Sequence, residues 1–278
     1  MLKPFIKWAG GKQQLLPIIK NKLPKSYNRY IEPFLGSGAL LLYLEPTVAI
    51  VNDTNEALIN LYTQVRDNPN ELIDAVSMLD KALKESYSPK EYYLIIRDGF
   101  NHQLSTFQND LNSAAHFLFI NKHCFNGLYR VNSKGYFNVP SAKKTTVNTF
   151  DDENFQMLRK YFTQSNIKIL NGDFEQAVTT AKAGDFVYFD PPYDVYPDKL
   201  GFVDYGKDGF GKKEQERLAN CFRKLSEKGV FVMLSNHNTK FINNLYDGFK
   251  INVIEAKRMI NSKADGRGNV EEVIITNY

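Results

Sequence analysis

The sequence predicts an α/β fold built on a mostly parallel sheet. Two strand-like runs near the N-terminus are each followed by a helix-like run, and further apolar strand runs return after residue 166. Alternating strands and helices are typical of a parallel sheet covered by helices. Polar residues directly follow several of these strands, and this is the edge at which open α/β sheets bind ligands.

The first part of the chain contains the opening of this sheet. Its elements alternate as a strand at 30–34, a helix at 39–44, a strand at 48–52 and a helix at 55–66. The strand at 48–52 is a continuous run dominated by apolar residues, as expected of a buried parallel strand, and it ends in Asp53. Apolar residues in 55–66 recur at helical spacing.

The alternation then stops, which indicates an insertion. Residues 68–120 are mostly helical in pattern, and residues 121–145 are aromatic, basic and rich in Asn and Gly. Within the latter, 129–139 predicts a hairpin with its turn near 132–135. We therefore expect one α/β domain, residues 1–54 and 148–278, interrupted by a second domain at 55–147.

The last part of the chain completes the sheet. Strands are predicted at 167–170, 185–189 and 230–234, with an amphipathic helix at 213–226 and two alternating runs at 250–255 and 272–277. The two alternating runs are joined by a loop containing Gly and Lys. They predict an antiparallel pair at one edge of the sheet.

Composition narrows the class of protein. The 278 residues are 43% hydrophobic and 24% charged, which is ordinary for a globular protein and excludes a disordered, collagen-like or coiled-coil chain. No apolar run approaches the ~20 residues of a membrane helix, and no secretory signal is visible. The two cysteines, Cys124 and Cys221, lie far apart, so we expect a cytoplasmic chain with reduced thiols.

The distribution of charge says more than the net charge of +4. Residues 1–30 contain seven basic side chains and no acid, and residues 111–150 contain five and no acid. Acid-free basic segments suggest a surface for a polyanion such as a nucleic acid. Solvated basic faces give the same pattern, and charge alone leaves both interpretations open.

Two strand ends carry candidate ligand contacts. Gly36-Ser37-Gly38 follows the first strand, and glycines there let the backbone approach a ligand at a helix N-terminus. A third glycine at dinucleotide spacing is missing, so a nucleotide-like cofactor and a plain turn both remain open. Asp53 follows the second strand, where an acid binds ribose hydroxyls in many folds or caps the next helix.

The N-terminal segment Lys7-Trp-Ala-Gly-Gly-Lys12 is a third candidate. It lacks the spacing of a phosphate-binding loop, and Gln13 stands where a magnesium-binding Ser or Thr would be, which excludes a nucleotide triphosphatase of that type. Trp8 is the only tryptophan. It is either part of a ligand pocket or an aromatic residue packed at the surface.

The fourth candidate decides the interpretation: Asp190-Pro-Pro-Tyr193, directly after the strand at 185–189. An acid ending an apolar strand lies at the ligand-binding edge of the sheet. The two prolines stiffen the turn, and the tyrosine offers a flat face for a base. Carboxylate and carbonyl oxygens are acceptors suited to the two hydrogens of an NH₂ group.

Asp190-Pro-Pro-Tyr193 resembles the signature of S-adenosylmethionine-dependent amino-methyltransferases, which act on adenine N6 or cytosine N4 in DNA. Further segments follow the order of one subgroup: Lys7–Lys12, Glu32–Gly38, Asn52-Asp53, Gly172–Phe174 and Leu234–Asn236. The subgroup is the Dam-type DNA adenine methyltransferases, including GATC-specific methylases of host, phage and restriction–modification origin. The resemblance covers Lys7 to Tyr278. It implies a Rossmann-like methyltransferase sheet, with 55–147 as the DNA target-recognition domain.

The resemblance also implies residue roles. Cofactor contacts would be Trp8, Lys12, Asp53 and Asp190, with Gly36 and Gly38 beside the methionine part and Asp173 and Phe174 at the adenine. The catalytic turn would be Asp190, Pro191, Pro192 and Tyr193, gripping a flipped-out target adenine. DNA contacts would be Lys7, Phe125, Asn126, Leu128 and Arg130, with Phe125 wedged or stacked in the duplex.

The implied reaction needs neither a metal nor a covalent intermediate. An aromatic amine is a poor nucleophile because its lone pair is delocalised into the ring. Acceptors at Asp190 and Pro191 would turn that lone pair toward a sulfonium methyl group, so that catalysis is mostly positioning. The base must leave the stack to reach such a pocket.

Other functions remain possible at this level. They are N4-cytosine methylation, a catalytically inactive DNA-binding protein on the same fold, and methylation of RNA or a protein amide. Asp rather than Ser at position 190 and the order of the segments favour adenine. The expected partner is double-stranded DNA, acted on by a monomer with no membrane association.

Overall fold

The computed structural model describes residues 2–142, 149–196, 210–257 and 269–278, without the side chains of 256, 257, 269 and 270. Its helices are α1 (Leu16–Lys20), α2 (Ala39–Leu44), α3 (Glu56–Asp67), α4 (Pro69–Glu85), α5 (Pro89–Ser105), α6 (Leu111–His123), α7 (Asp152–Gln164), α8 (Phe174–Ala177), α9 (Lys212–Glu227) and α10 (Lys240–Leu245). Its strands are β1 (Tyr30–Glu32), β2 (Val48–Asp53), β3 (Asn166–Asn171), β4 (Phe186–Phe189), β5 (Phe231–His237), β6 (Lys250–Lys257) and β7 (Asn269–Thr276).

The strands that the structure describes form one sheet, in the order β3-β2-β1-β4-β5-β7-β6. β1 is parallel to β2 and to β4, and β4 is parallel to β5. β7 is antiparallel to both β5 and β6. The predicted α/β fold, with a mostly parallel sheet and an antiparallel pair at one edge, is confirmed. The predicted Gly- and Lys-containing loop between β6 and β7 lies mostly outside the described residues.

The chain divides into two compact units. The first consists of Met1–Gln13, Gly36–Thr47 and Asp53–Gly172, and within it α6 packs against α3, α4 and α5. The second consists of Gln14–Leu35, Val48–Asn52 and Asp173–Tyr278, and it carries β1, β4 to β7 and most of β2. The separate recognition domain at 55–147 stays a prediction. Its boundary at 148, and Lys143 and Lys144, lie outside the described residues.

Polar caps begin several helices. The side chain of Asn55 accepts the N–H of Leu58 at 2.9 Å and caps α3. Asp110 and Ser113 form a reciprocal capping box on α6. Asp151 caps α7, a helix that the sequence analysis did not predict, by accepting the N–H of Asn154 at 3.1 Å. Such caps satisfy N–H groups that the first helical turn leaves unpaired.

The segment 129–139 is less regular than the predicted hairpin. It has the turn at 132–135, but its only ladder contact among the described residues is a single antiparallel bridge between Val131 and Phe137. The reason is that Asn101 on α5 takes both backbone groups of Phe137: its amide nitrogen donates to the carbonyl at 3.0 Å and its oxygen accepts the N–H at 2.7 Å. A helix side chain thus replaces part of the strand ladder.

The structure also bears on three smaller expectations about the chain. Cys124 and Cys221 are buried thiols that form no disulfide, as predicted. Within the described ranges, no helix combines the length and the apolar character that crossing a bilayer requires. β1 ends at Glu32, two residues earlier than predicted, because the next residue is Pro33 and proline has no N–H for the ladder.

Candidate active site

The turn after β1 is shaped by two glycines and by Asp53. Gly36 and Gly38 have φ values of +51° and +63°, a left-handed conformation that favours glycine. The carboxylate of Asp53 accepts the N–H of Gly36 and the N–H of Asn55, both at 2.9 Å. Burial raises the pKa of Asp53, and these N–H donors oppose the rise. Asn55 is the cap of α3, so the cap interpretation of Asp53 is wrong.

Trp8 packs inside the first unit, against this turn. Its ring stacks on Tyr129 at 5.1 Å between centroids and meets Phe117 edge-on at 6.3 Å. A Cβ atom added to Gly36 would lie 3.0 Å from Cδ1 of Trp8, so the glycine permits a close approach. Lys12 is buried, and its ammonium donates to the carbonyl of Gly10 at 2.8 Å. The first unit therefore brings Trp8, Gly36 and Asp53 together.

A second aromatic cluster, within the second unit, surrounds Asp173 and Phe174. The Phe174 ring stacks on Phe34 at 5.5 Å, and the guanidinium of Arg217 lies 4.5 Å from the centre of the same ring. Arg217 also pairs with the Asp173 carboxylate, which caps α8 by accepting the N–H of Glu175 at 2.9 Å. Flat apolar faces beside a carboxylate suit a purine with an exocyclic amine.

Asp190-Pro-Pro-Tyr193 leaves the end of β4, a strand that is buried at every position. The turn is tied to its surroundings on both sides of Tyr193. Gln215 donates to the carbonyl of Pro192 at 2.8 Å, and the side-chain oxygen of Asn236 accepts the N–H of Asp194 at 2.9 Å. The sequence analysis gave neither amide a role, although Asn236 belongs to the segment Leu234–Asn236 that carries the resemblance.

Tyr193 has a fixed orientation. Its hydroxyl donates to the Glu272 carboxylate on β7 at 3.0 Å, and His237 meets its ring edge-on at 4.9 Å. Burial raises the pKa of Tyr193 well above its ordinary value, and the nearby charge of Asp190 adds to the rise. The phenol therefore stays protonated and remains a donor to Glu272 at neutral pH.

The predicted DNA contacts lie together in the first unit. The fully buried side chain of Asn121 accepts the N–H of Lys7 at 3.0 Å, donates to the carbonyl of Lys7 at 2.9 Å, and reaches the carbonyl of Gly127 at 3.3 Å. Asn121 thus holds Lys7 beside the segment 125–130. The signal for it was an asparagine directly after the apolar run 117–120 of α6.

The side chains of that segment differ in exposure. Phe125 is 52% exposed, which is unusual for a large apolar side chain, and Asn126 adopts a left-handed φ of +56°. Leu128 is half-buried. The exposed Arg130 donates through Nε to the side chain of Asn138 at 2.7 Å. Close by, burial and the charge of Lys7 lower the pKa of Lys122 to about 8.

The sheet is mostly parallel and carries Asp-Pro-Pro-Tyr at the end of its buried strand β4, the turn that resembles the signature of S-adenosylmethionine-dependent amino-methyltransferases. Comparison with known families narrows this class. The model of the family described as D12 class N6 adenine-specific DNA methyltransferase matches residues 8–260. The chain belongs to that family, and the predicted enzyme class is confirmed.

Individual relatives resemble the chain over nearly its whole length. It is 44% identical to Type II methyltransferase M1.LlaDCHI of Lactococcus lactis subsp. cremoris, covering 100% of this chain and 96% of the relative. It is 42% identical to Type II methyltransferase M.MjaIII of Methanocaldococcus jannaschii, covering 100% and 99%. It is 33% identical to the DNA adenine methylase of Haemophilus influenzae, covering 98% and 92%. The resemblance to Dam-type enzymes is confirmed.

Proposed function

We propose that this protein transfers a methyl group from S-adenosylmethionine to N6 of a flipped-out adenine within GATC sites of double-stranded DNA. The observation that carries the proposal is the Asp190-Pro-Pro-Tyr193 turn at the end of a buried strand, in a chain of the N6 adenine-specific family. Membership of that family favours methylation of adenine N6 over the alternative, methylation of cytosine N4. The intact turn argues against an inactive DNA-binding protein.

The residues present fit the proposed cofactor. Gly36 lies so close to Trp8 that a Cβ would crowd the ring, so this turn presents backbone where a larger residue would present a side chain. Each oxygen of Asp53 accepts at least one N–H, and a carboxylate oxygen can accept a further hydrogen bond, as a ribose hydroxyl requires. Lys12 lies in the same N-terminal segment as Trp8, and Gly38 is the N-cap residue of α2. In the second unit, Phe174 and Asp173 would hold the adenine ring and its amine in place of their present contacts with Arg217.

The chain's own contribution to the reaction is the positioning of an amine. S-adenosylmethionine supplies an activated methyl group on a sulfonium centre. Asp190 and the carbonyl of Pro191 accept the two N–H groups of the target amine, which directs the nitrogen lone pair away from the ring. Asp190 takes up the proton that the amine loses. Tyr193 stacks on the base, and alignment of this kind can contribute about 7–11 kcal/mol.

DNA recognition is assigned to the first unit's basic surface. We propose that residues 55–147 form the target-recognition domain. Phe125 would enter the base stack, an arrangement consistent with its exposure. Asn126, Leu128, Arg130 and Lys7 would contact bases, and Asn121 fixes the backbone of Lys7 beside this segment.

The affinity for DNA should fall steeply with salt. The two acid-free basic segments are expected to neutralise about five to six phosphates, which gives a slope of log affinity against log salt near −5. Fluorescence anisotropy with one GATC duplex between 50 and 200 mM KCl measures the slope. A slope near zero would contradict an electrostatic contribution from these segments.

Arg130→Ala should relax sequence choice rather than only weaken binding. A guanidinium that reads guanine O6 and N7 contributes about 1–3 kcal/mol against a wrong base. The ratio of methylation rates on GATC and on its single-base variants should therefore fall by roughly 5- to 150-fold, the same free energy expressed as a ratio.

Lys134→Ala is the matched control, because Lys134 is an exposed basic residue in the turn of the same segment. A phosphate contact loses affinity almost uniformly across sequences. Arg130→Ala could instead behave like Lys134→Ala, with lower methylation rates on GATC and on its variants and an unchanged ratio between them. That result would show that Arg130 contacts only the DNA phosphate backbone.

The proposed function is tested with labelled S-adenosylmethionine and duplexes that differ only in GATC, GATT or GACC. Methyl incorporation is expected into the GATC duplex alone. Equal incorporation into all three would contradict the proposed site. A matching RNA duplex in parallel tests the alternative substrate.

A further inference from the structure

Two buried side-chain amides form a chain of hydrogen bonds behind the Asp190-Pro-Pro-Tyr193 turn. Gln215, on the first turn of α9, is 1% exposed, and Asn236 on β5 is 0% exposed. Nε2 of Gln215 donates to the Pro192 carbonyl at 2.8 Å, and Nδ2 of Asn236 donates to Oε1 of Gln215 at 3.1 Å. We call Gln215 and Asn236 the amide relay.

The relay can be satisfied in one orientation only. The Pro192 carbonyl can only accept, so Gln215 must turn its NH₂ group toward it and its oxygen toward Asn236. Asn236 must then donate to Gln215, and its oxygen is left for N–H groups. That oxygen accepts from Asp194 and from His237, each at 2.9 Å. The orientation of each amide in the relay is therefore fixed by the hydrogen bond of the amide before it.

The relay spans Tyr193. It bonds the carbonyl of the preceding residue, Pro192, and the N–H of the following residue, Asp194. Pro191 and Pro192 lack N–H groups, so the turn cannot be stabilised by local backbone donors at these positions. Its position depends on α9 and β5, which are regular elements of the second unit.

We infer that Gln215 and Asn236 are positioning residues for methyl transfer, an inference that rests on the proposed function. They hold the backbone on both sides of Tyr193 and so set where its ring and the Pro191 carbonyl stand relative to Asp190. A misplacement of about 1 Å can lower a rate by about 10²-fold when catalysis depends on alignment. Neither amide touches the reacting atoms.

Gln215→Met tests the inference, because methionine keeps the length of the side chain and removes both hydrogen bonds. The expected result is a kcat lower by about tenfold or more, with the KM for S-adenosylmethionine changed by less than about threefold.

Asn236→Asp reaches the relay from its other end. An ionised aspartate still accepts the N–H groups of Asp194 and His237, but it cannot donate to Gln215. The amide of Gln215 must then turn over, and it loses its hydrogen bond to the Pro192 carbonyl. The kcat of Asn236→Asp should match that of Gln215→Met. The double variant should be no slower than the slower single variant, because both changes break the same bond.

Asn277→Asp is the matched control, because it removes the same kind of side-chain N–H donor as Asn236→Asp and leaves an acceptor in place. Asn277 lies in the second unit, at the opposite end of β5, where it accepts the N–H of Val232 and donates to the carbonyl of Val230, both at 2.8 Å. Its kcat, per folded protein as measured by circular dichroism, should stay at the wild-type value. Wild-type kcat in folded Gln215→Met and Asn236→Asp would overturn the inference, as would equal losses in Asn277→Asp. A wild-type protein without activity on DNA would instead contradict the proposed function.

Discussion

Replacing Asp190 by alanine is expected to lower the rate of methyl transfer by about 10²–10³-fold, the effect of removing one group that stabilises developing charge in a closed site. The Asp190 carboxylate accepts a hydrogen bond from the target amine, and it also takes up the proton that the amine loses. Single-turnover transfer of a labelled methyl group measures the chemical step separately from binding. The fold should persist, because the buried strand β4 precedes the substituted position.

Asp185→Asn is the control at the other end of β4. The Asp185 carboxylate pairs with Arg29 and accepts the N–H of Lys182 at 2.9 Å, so this change should lower stability without changing the transfer rate. A near wild-type rate in folded Asp190→Ala would show that the catalytic assignment is wrong.

Asp53→Ala should weaken the binding of S-adenosylmethionine by about 10- to 100-fold, because hydrogen bonds to a charged group contribute about 1.5–3 kcal/mol. The change removes the proposed ribose acceptor and also releases the N–H of Gly36, which the carboxylate holds in place. Isothermal titration calorimetry measures the affinity. DNA affinity, measured separately, should change much less.

Asn55→Ala separates the ligand role from helix capping. Asn55 caps α3, and losing such a cap costs about 1 kcal/mol of stability. We expect Asn55→Ala to lower the melting temperature while cofactor affinity stays the same. Unchanged affinity in Asp53→Ala would mean that its carboxylate only organises the Gly36 turn.

The sheet and its strand-end residues could be predicted because their signals are local. Apolar runs of four to six residues predicted β2 and β4, and Asp53 and Asp190 stand directly at or after those strands. The helix at Ala39–Leu44 was predicted to the residue from the glycine turn and the apolar run that follows. The antiparallel edge pair followed from alternation in β6 and β7.

The supporting contacts could not be predicted, because they join residues far apart in the chain. Asn121 bonds Lys7 across 114 positions, and Asn236 bonds Asp194 across 42. Each asparagine stands next to an apolar run, but that signal does not say which distant residue the side chain bonds. The segment 129–139 is less regular than the predicted hairpin for the same reason. Asn101, on a helix distant in sequence, forms hydrogen bonds with the backbone of Phe137 that a strand partner would otherwise form.

Chemical identification of the methylated product tests whether this protein methylates adenine at N6. The wild-type protein is incubated with S-adenosylmethionine and a GATC duplex, the DNA is digested to nucleosides, and the nucleosides are separated and weighed by mass spectrometry. N6-methyladenine is expected as the only new nucleoside, at one adenine per strand of the site. N4-methylcytosine, or no methylated nucleoside from a folded protein, would contradict that expectation.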